Sequence, residues 1–149
     1  MTTSGWEQLD CEFFTEVCRR VLNDYLQDLS FLERRTTPRG GVVYNHSDLF
    51  LEFSYDTNLF QSYSIRVNFG IGDGAYSDLG DYNGVPMWYI LPKDHPYTQK
   101  VHWTFKTEHE LESVLAEIQR DFIDKVFTTL VGDRVRLENV VATFQAEHL

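Results

Sequence analysis

The stretches Leu49–Tyr55 (LFLEFSY) and Tyr63–Phe69 (YSIRVNF) decide the fold class of this 149-residue chain. In each of them every second side chain is apolar, which is the period of a strand with one buried face. The polar segment Asp56–Asn58 lies between them, so the two stretches predict an antiparallel hairpin. Before the hairpin, Val42–Tyr44 predicts a further strand that turns at Asn45–Asp48.

Two more strands are predicted after the hairpin. Met87–Leu91 and Val101–Phe105 are both rich in aromatic and branched side chains, which are typical of strands. A long segment, Gly70–Gly84, separates them from the hairpin and is interpreted as a loop because it combines glycine, aspartate and asparagine.

The N-terminal part of the chain has the period of a helix. Apolar side chains recur at intervals of mostly three, four and one from Trp6 to Leu29, with charged residues opposite, so we expect an amphipathic helix that ends near Ser30. Ser4 and Glu7 form a possible capping box at its start. The next segment, Thr36–Gly41, has the composition of a turn.

A second amphipathic helix is predicted near the C-terminal end. Thr107 and Glu110 form a second possible capping box, and Gly132 is a typical residue at a helix end. The apolar stripe of this helix consists of Leu111, Val114, Leu115, Ile118, Phe122, Val126 and Leu130. The last segment fits a short helix through Leu137 and Val141, which we favour, or a strand over Arg134–Glu138.

The order helix, strands, helix predicts one α+β domain over residues 1–149. Short hairpin connections imply a mainly antiparallel sheet of about five strands, flanked by an N-terminal and a C-terminal amphipathic helix in a two-layer arrangement.

The charge of the chain limits its partners. Thirteen basic residues against 23 acidic ones give a formal net charge of -10, so no nucleic acid partner is expected. No apolar run reaches the roughly 20 residues of a membrane span, and the sequence MTTSGWEQLD lacks the order of a signal peptide. We therefore expect a cytoplasmic protein without a membrane partner.

No metal, cofactor or catalytic site is predicted. Cys11 and Cys18 lie on the predicted first helix about 10 Å apart, which is too far for a disulfide, and they lack zinc-site spacing. His109-Glu110 resembles the start of a zinc-protease helix, but Ser113 stands where the second histidine is needed. Because no nucleophile and base share a known spacing, we expect a protein that is not an enzyme.

The segment Gly70–Gly84 holds five glycines and three carboxylates. A phosphate-binding loop is excluded because no lysine follows the glycines, and an EF-hand calcium loop is excluded because Leu79 and Ile90 fall at ligand positions. The segment is interpreted as a simple connection or a binding loop, and a calcium site other than an EF-hand, with oxygen ligands from Asp73, Asp78, Asp81 and Asn83, is the least favoured alternative.

The middle of the chain combines carboxylates with aromatic rings. Between Asn45 and Pro92 the only basic residue is Arg66, and the acids are Asp48, Glu52, Asp56, Asp73, Asp78 and Asp81. The aromatic residues Tyr44, Tyr55, Tyr63, Tyr76, Tyr82, Trp88 and Tyr89 occur at the edge of this span and within it. Such a surface suits a basic protein partner, because charge steers association and rings anchor it. The alternative is that the acids keep the domain soluble and the rings fill its core.

We expect the contact with that partner to lie in the glycine-rich loop. The predicted partner-binding residues are Asp73, Tyr76, Asp78, Asp81 and Tyr82. Glycines allow the positive φ angles that would present these side chains outward.

The order of segments resembles small acidic immunity-type proteins that are encoded beside bacterial polymorphic toxins. The residues that carry the resemblance are the strand SIRVNFG, the W-x-F strand at Trp103–Phe105 and the T-x-x-E-L start of the helix at Thr107. The resemblance implies a non-enzymatic bacterial protein that binds and blocks a partner, and it supplies no catalytic residues. The glycine-rich loop departs from the pattern.

Three other functions are compatible with the sequence. One is a small-molecule-binding module whose pocket is lined by sheet aromatics such as Trp88 and Trp103. The others are an accessory protein of phage or bacterial defence and a hydrolase that uses aspartate and histidine. The sequence predicts neither the identity of the partner nor the oligomeric state.

Overall fold

The computed structural model describes residues 10–57, 62–74, 84–92 and 103–148. The N-terminal half of the described chain contains α1 (Phe14–Asp28), β1 (Leu32–Thr36), β2 (Val42–His46), β3 (Leu49–Thr57) and β4 (Tyr63–Ile71). The C-terminal half contains β5 (Gly84–Pro86), a 3₁₀ turn (Met87–Tyr89), β6 (Thr104–Phe105), α2 (Glu108–Ile118), a π-helical segment (Gln119–Phe127), α3 (Thr128–Val131) and α4 (Arg134–His148).

The strands form one antiparallel sheet in the order β1-β2-β3-β4-β5, and β6 pairs with the other end of β4. The predicted hairpin is confirmed, since β3 pairs with β4 along its whole length, with Leu51 opposite Phe69 and Tyr55 opposite Ile65. The predicted strand at Val42–Tyr44 is confirmed as β2. Of the strand expected at Val101–Phe105, Thr104–Phe105 form β6, and Trp103 precedes it. The fold is therefore an α+β sheet flanked by helices, as the sequence predicts.

The helices pack on one face of the sheet, which we call the helix face. Alternate residues of the central strands point to this face and are fully buried, among them Tyr44, Leu51, Phe53 and Phe69. The ring of Phe69 lies against Phe122 of the π-helical segment, at 6.0 Å between centroids. Each such buried phenylalanine contributes roughly 1.5–3 kcal/mol, so the alternation seen in the sequence also supplies the core.

Both predicted helices form, although some of their details differ from the prediction. In α1 the buried residues are Phe14, Val17, Cys18, Leu22 and Leu26, which belong to the predicted stripe. At the start of α2, Thr107 accepts from the Glu110 N–H and Glu110 reaches back to the Thr107 N–H, so that capping box is confirmed. Among the described residues, the helices are too short or too polar to span a bilayer.

The π-helical segment changes which side chains are buried. A π-helix bonds i to i+5, so each turn takes about one residue more than an α-turn. Phe127 is therefore buried, whereas Val126, which the α-helical period places inside, is only half-buried. Gly132 ends the helix, but with an ordinary φ of -79°. The last segment is the favoured helix, α4.

Three local predictions are wrong. The sequence pattern predicts no strand at Leu32–Thr36, yet β1 pairs with β2, and Arg19 of α1 holds Glu33 in β1 by a 2.7 Å ion pair. Met87–Tyr89 is a 3₁₀ turn rather than a strand, because the chain leaves the sheet after Pro86. The first described helical residue is Phe14, so Cys11 precedes the helix that is predicted to contain it. The possible capping box at Ser4 and Glu7 lies outside the described residues.

Candidate partner-binding surface

The glycine-rich segment is the connection of a β-hairpin. Gly70 pairs with Gly84 and Phe69 pairs with Val85, so both ends of the segment belong to strands β4 and β5 rather than to a loop. The connection itself covers residues 72–83, which are held at their base by the central strand of the sheet. A rigid base of this kind reduces the entropy that a binding loop loses when it meets a partner.

Two glycines at the start of the connection adopt the backbone that the sequence predicts. Gly72 has a φ of 118° and Gly74 a φ of 79°, both in the region that side chains rarely adopt. The Gly72 N–H donates to the carbonyl of Asp48, which ties the connection to the β2–β3 turn. Gly74 is buried against Phe50, and a Cβ at this position would lie 2.8 Å from the ring.

Of the five predicted partner-binding residues, the structure places one. Asp73 is exposed between the two glycines, and its backbone carbonyl accepts from the Asn45 amide at 3.4 Å. Tyr76, Asp78, Asp81 and Tyr82 lie outside the described residues. The assignment of these five residues to a partner contact stays a prediction.

Gly74→Ala is expected to destabilise the fold more than Gly72→Ala. Both changes strain the backbone at positive φ, at about 1 kcal/mol each. Only the Gly74 change also forces a methyl group into Phe50, at about 1–2 kcal/mol more, whereas a Cβ at Gly72 meets nothing within 4 Å. Urea unfolding of the two variants measures the difference. Equal losses of stability would contradict the close packing of Gly74 on Phe50.

Where the structure describes them, the acids of the middle segment do not form one continuous acidic surface. Asp48 accepts two bonds from the Arg134 guanidinium, at 2.8 and 2.7 Å, and this contact lowers the pKa of Asp48. Asp56 forms an ion pair with Arg66 at 3.2 Å, and Glu52 is only 6% exposed. The described acids of this segment are thus mostly paired or buried, with Asp73 exposed.

The tyrosines of the same segment divide between core and surface. Tyr44 and Tyr55 are buried, and their hydroxyl groups donate to Asn23 and to the Arg39 carbonyl. For these two residues the alternative interpretation, filling of the core, is correct. Tyr63 is half-buried in contact with Phe105.

An exposed aromatic cluster lies where the 3₁₀ turn meets the end of α4. It consists of Trp88, Tyr89, Phe144 and His148, whose ring centroids are 4.2–6.4 Å apart. Trp88 is 45% exposed, so a large ring of this cluster is open to a partner. The Tyr89 hydroxyl donates to the Glu147 carboxylate at 2.9 Å, and this bond raises the pKa of Tyr89.

The helices carry an acidic patch that sequence reasoning missed. The Arg20 guanidinium bonds to Glu112, and the charges of Glu108 and Glu16 surround it, which together raise the pKa of Arg20. These acids come from the start of α2 and from α1, so only the packing of the two helices brings them together. The one signal in the sequence is the acidic first turn of α2, which a favourable helix dipole alone would explain.

The two tryptophans named for an aromatic pocket on the sheet do not share one. Trp88 lies in the exposed cluster, and Trp103 is buried in the core. A groove does open on the sheet face opposite the helices, but it is lined mainly by polar and charged residues.

The cysteines are buried thiols. Cys11 and Cys18 are both free, and burial raises the pKa of Cys11 to about 11 and that of Cys18 still further. Both therefore stay protonated near neutral pH, which does not favour nucleophilic chemistry. In residues 10–57, 62–74, 84–92 and 103–148 no group of three or more His, Cys, Asp or Glu side chains is placed to hold a metal ion.

No protein-family model, curated protein or solved structure matches this chain. The resemblance to immunity-type proteins therefore stays a prediction.

Proposed function

We propose that this chain is a non-enzymatic acidic protein that recognises and blocks a basic protein partner, in the manner of an immunity-type inhibitor. The observation that carries the proposal is the exposed aromatic cluster at Trp88, on a chain with a formal net charge of -10. Anchoring rings and negative charge are the two properties that recognition of a basic protein requires.

The aromatic cluster has the character of a binding anchor. Tryptophan and tyrosine are enriched among the residues that carry most of the energy of an interface. Trp88 is held by edge-to-face contacts with Tyr89 and Phe144, at 6.2 and 6.4 Å between centroids. Because its neighbours restrict the ring before binding, the side chain loses less entropy when a partner covers it.

The surroundings of the cluster favour a cationic partner group. The C-terminal end of α4 carries the negative end of the helix dipole, and Glu147 adds an exposed carboxylate beside the rings. Ring faces themselves attract guanidinium and ammonium groups, by about 0.5–2 kcal/mol. An arginine or lysine of the partner therefore fits this surface better than an acidic or purely apolar group.

Other acids would steer the encounter. Glu16, Glu108 and Glu112 lie together on the helices around a single arginine. Asp73 is exposed on the 72–83 connection, which also carries Asp78 and Asp81. Carboxylates spread around an anchor raise the association rate with a basic protein even where they do not touch it.

Within the part of the chain that the structure describes, both thiols and two of the three histidines have structural environments. The two thiols are buried and protonated, and His46 and His148 each share a hydrogen bond with a backbone carbonyl, of Ser30 and Phe144. These environments support a binding role over the hydrolase considered from the sequence.

The association rate with the partner is expected to fall steeply with added salt. The partner is first identified by co-purification with the tagged chain from the source cell, and the purified pair is then measured by stopped-flow or surface plasmon resonance. Between about 50 and 500 mM NaCl we expect the association rate constant to fall about tenfold or more, because salt screens the attraction of opposite charges.

The dissociation rate is the internal control, since the short-range contacts that govern it are less sensitive to salt. An association rate that does not change with salt, or a co-purifying protein that is itself acidic, would contradict the proposal.

A further inference from the structure

A groove of about 660 Å³ opens on the sheet face opposite the helices. This second face carries Val43, Glu52 and Asn68, the residues that alternate with the core positions of β2, β3 and β4. The volume of the groove suits a small molecule, since ligand sites commonly have volumes of about 300–1,000 Å³. It lies on the other side of the sheet from the acidic helices, and Gly74, at the start of the 72–83 connection, lines one end of it.

The shape of the groove depends on two small residues, Gly41 just before β2 and Ser54 of β3. Gly41 lies beside Ser54, and a Cβ on Gly41 would be 3.3 Å from the Cβ of Ser54 and 2.8 Å from the Thr37 hydroxyl. Ser54 in turn is opposite Arg66 on β4. Long side chains therefore border the depression, with Arg35 of β1 on one side and Arg66 on the other.

The two arginines can reach the same ligand. β1 and β4 are three strand spacings apart, which is about 14 Å between backbones. Both arginine side chains line the groove between these strands, Arg35 from one side and Arg66 from the other. The hydroxyl groups of Thr36, Thr37 and Ser54 line the same space and can donate hydrogen bonds.

The arginines that line the groove differ in whether a carboxylate pairs with them. Arg66 is paired with Asp56, and Arg39 is paired with Asp10 at 3.3 Å and lies over the Tyr55 ring. Arg35 is half-buried, and among the described residues no carboxylate or hydrogen-bond acceptor contacts its guanidinium. A partly desolvated cation without a counter-charge favours an anion beside it.

We propose that the groove binds a small molecule that carries one carboxylate or phosphate group, with Arg35 as the principal contact of that group. The planar guanidinium can hold either oxyanion by two parallel hydrogen bonds. The buried carboxylate of Glu52 lines the same groove. A carboxylate in the lining favours a hydrogen-bond donor on the rest of the ligand.

Titration with methyl phosphate and with acetate tests this site and distinguishes the two oxyanions. Amide and arginine Nε–H resonances are followed by NMR at constant ionic strength, adjusted with sodium chloride. We expect saturable shifts at Gly41, Ser54 and Arg35 with at least one probe. Arg35→Gln is expected to weaken that binding tenfold or more.

Arg34→Gln is the matched control, because Arg34 is the adjacent exposed arginine of β1 and does not line the groove. Ser54→Val is a second variant, which keeps every charge and fills the floor of the groove; it is expected to abolish binding. Resonance shifts that saturate with neither probe would overturn the proposal. Equal losses of probe affinity in Arg35→Gln and Arg34→Gln would overturn it as well.

Discussion

The double reversal Asp78→Lys/Asp81→Lys is expected to weaken binding of the basic partner by several kcal/mol, at least a hundredfold in Kd. Like charges that meet across an interface cost several kcal/mol, and these two acids are predicted to contact the partner. The connection that carries them is fixed at its base by the pairing of Gly70 with Gly84. The change is therefore expected to alter the contact itself rather than the position of the loop.

Stability and net charge need separate controls. We expect the double variant to change the free energy of unfolding by about 0.5 kcal/mol or less, the usual range of surface substitutions, and urea unfolding checks this. Asp24→Lys/Asp28→Lys makes the same change in net charge at two exposed positions of α1.

The comparison of the two double variants separates contact from general attraction. If both weaken binding equally, only the overall charge matters. If the Asp78/Asp81 variant binds like the unmodified chain, the segment is a connection and the site assignment is wrong. Dissociation rates give the same distinction independently, because loss of a direct contact mainly accelerates dissociation.

The alternation of side chains is enough to predict the centre of this fold. A strand with one buried face needs an apolar residue at every second position, and a shift by one residue would expose all of them. In β3 and β4 the pattern fixes the register as well, with Leu51 opposite Phe69 and Phe53 opposite Val67. The helices are equally easy to predict, because their apolar stripes must pack against the buried face of the sheet.

The elements that the sequence does not predict depend on tertiary contacts. β1 has the sequence LERRT, whose charges do not alternate with apolar residues. Pairing with β2 and the contact of Glu33 with Arg19 nevertheless hold it as an edge strand. Met87–Tyr89 has the composition of a strand, but no neighbour pairs with it in the described sheet, and a 3₁₀ turn forms.

The candidate surfaces are harder to predict than the fold. Tyr55 and Trp88 belong to the same acidic, aromatic segment, yet one is buried in the core and the other is 45% exposed. Composition does not distinguish the two residues, because burial depends on the face of the sheet to which a strand residue points and on where α4 packs. The groove likewise joins Arg35 and Arg66, which come together only through the order of the strands.

Trp88→Ala is expected to weaken partner binding by about 2–4 kcal/mol, the range of a central interface tryptophan. The change removes the largest exposed ring of the aromatic cluster and leaves every charge in place. Binding is measured by isothermal titration calorimetry with the co-purified partner. Trp88→Phe keeps an aromatic ring at this position, so it is expected to retain most of the affinity.

Leu32→Ala is the matched control for Trp88→Ala. Leu32 is also 45% exposed and apolar, but it lies on β1, outside the aromatic cluster. If exposed apolar surface were all that mattered, the two variants would lose affinity in proportion to the area removed. We expect Leu32→Ala to bind within a factor of about two of the unmodified chain.

The outcome at Trp88 also decides between the two interpretations of the aromatic residues. Trp88 contacts Tyr89, Phe144 and His148, so its removal also loosens the end of α4, and urea unfolding measures that cost. A loss of stability without a loss of affinity would mean that the cluster only packs α4 against the 3₁₀ turn. A loss of affinity that Trp88→Phe restores requires a partner that contacts the ring, since both variants leave the net charge of -10 unchanged.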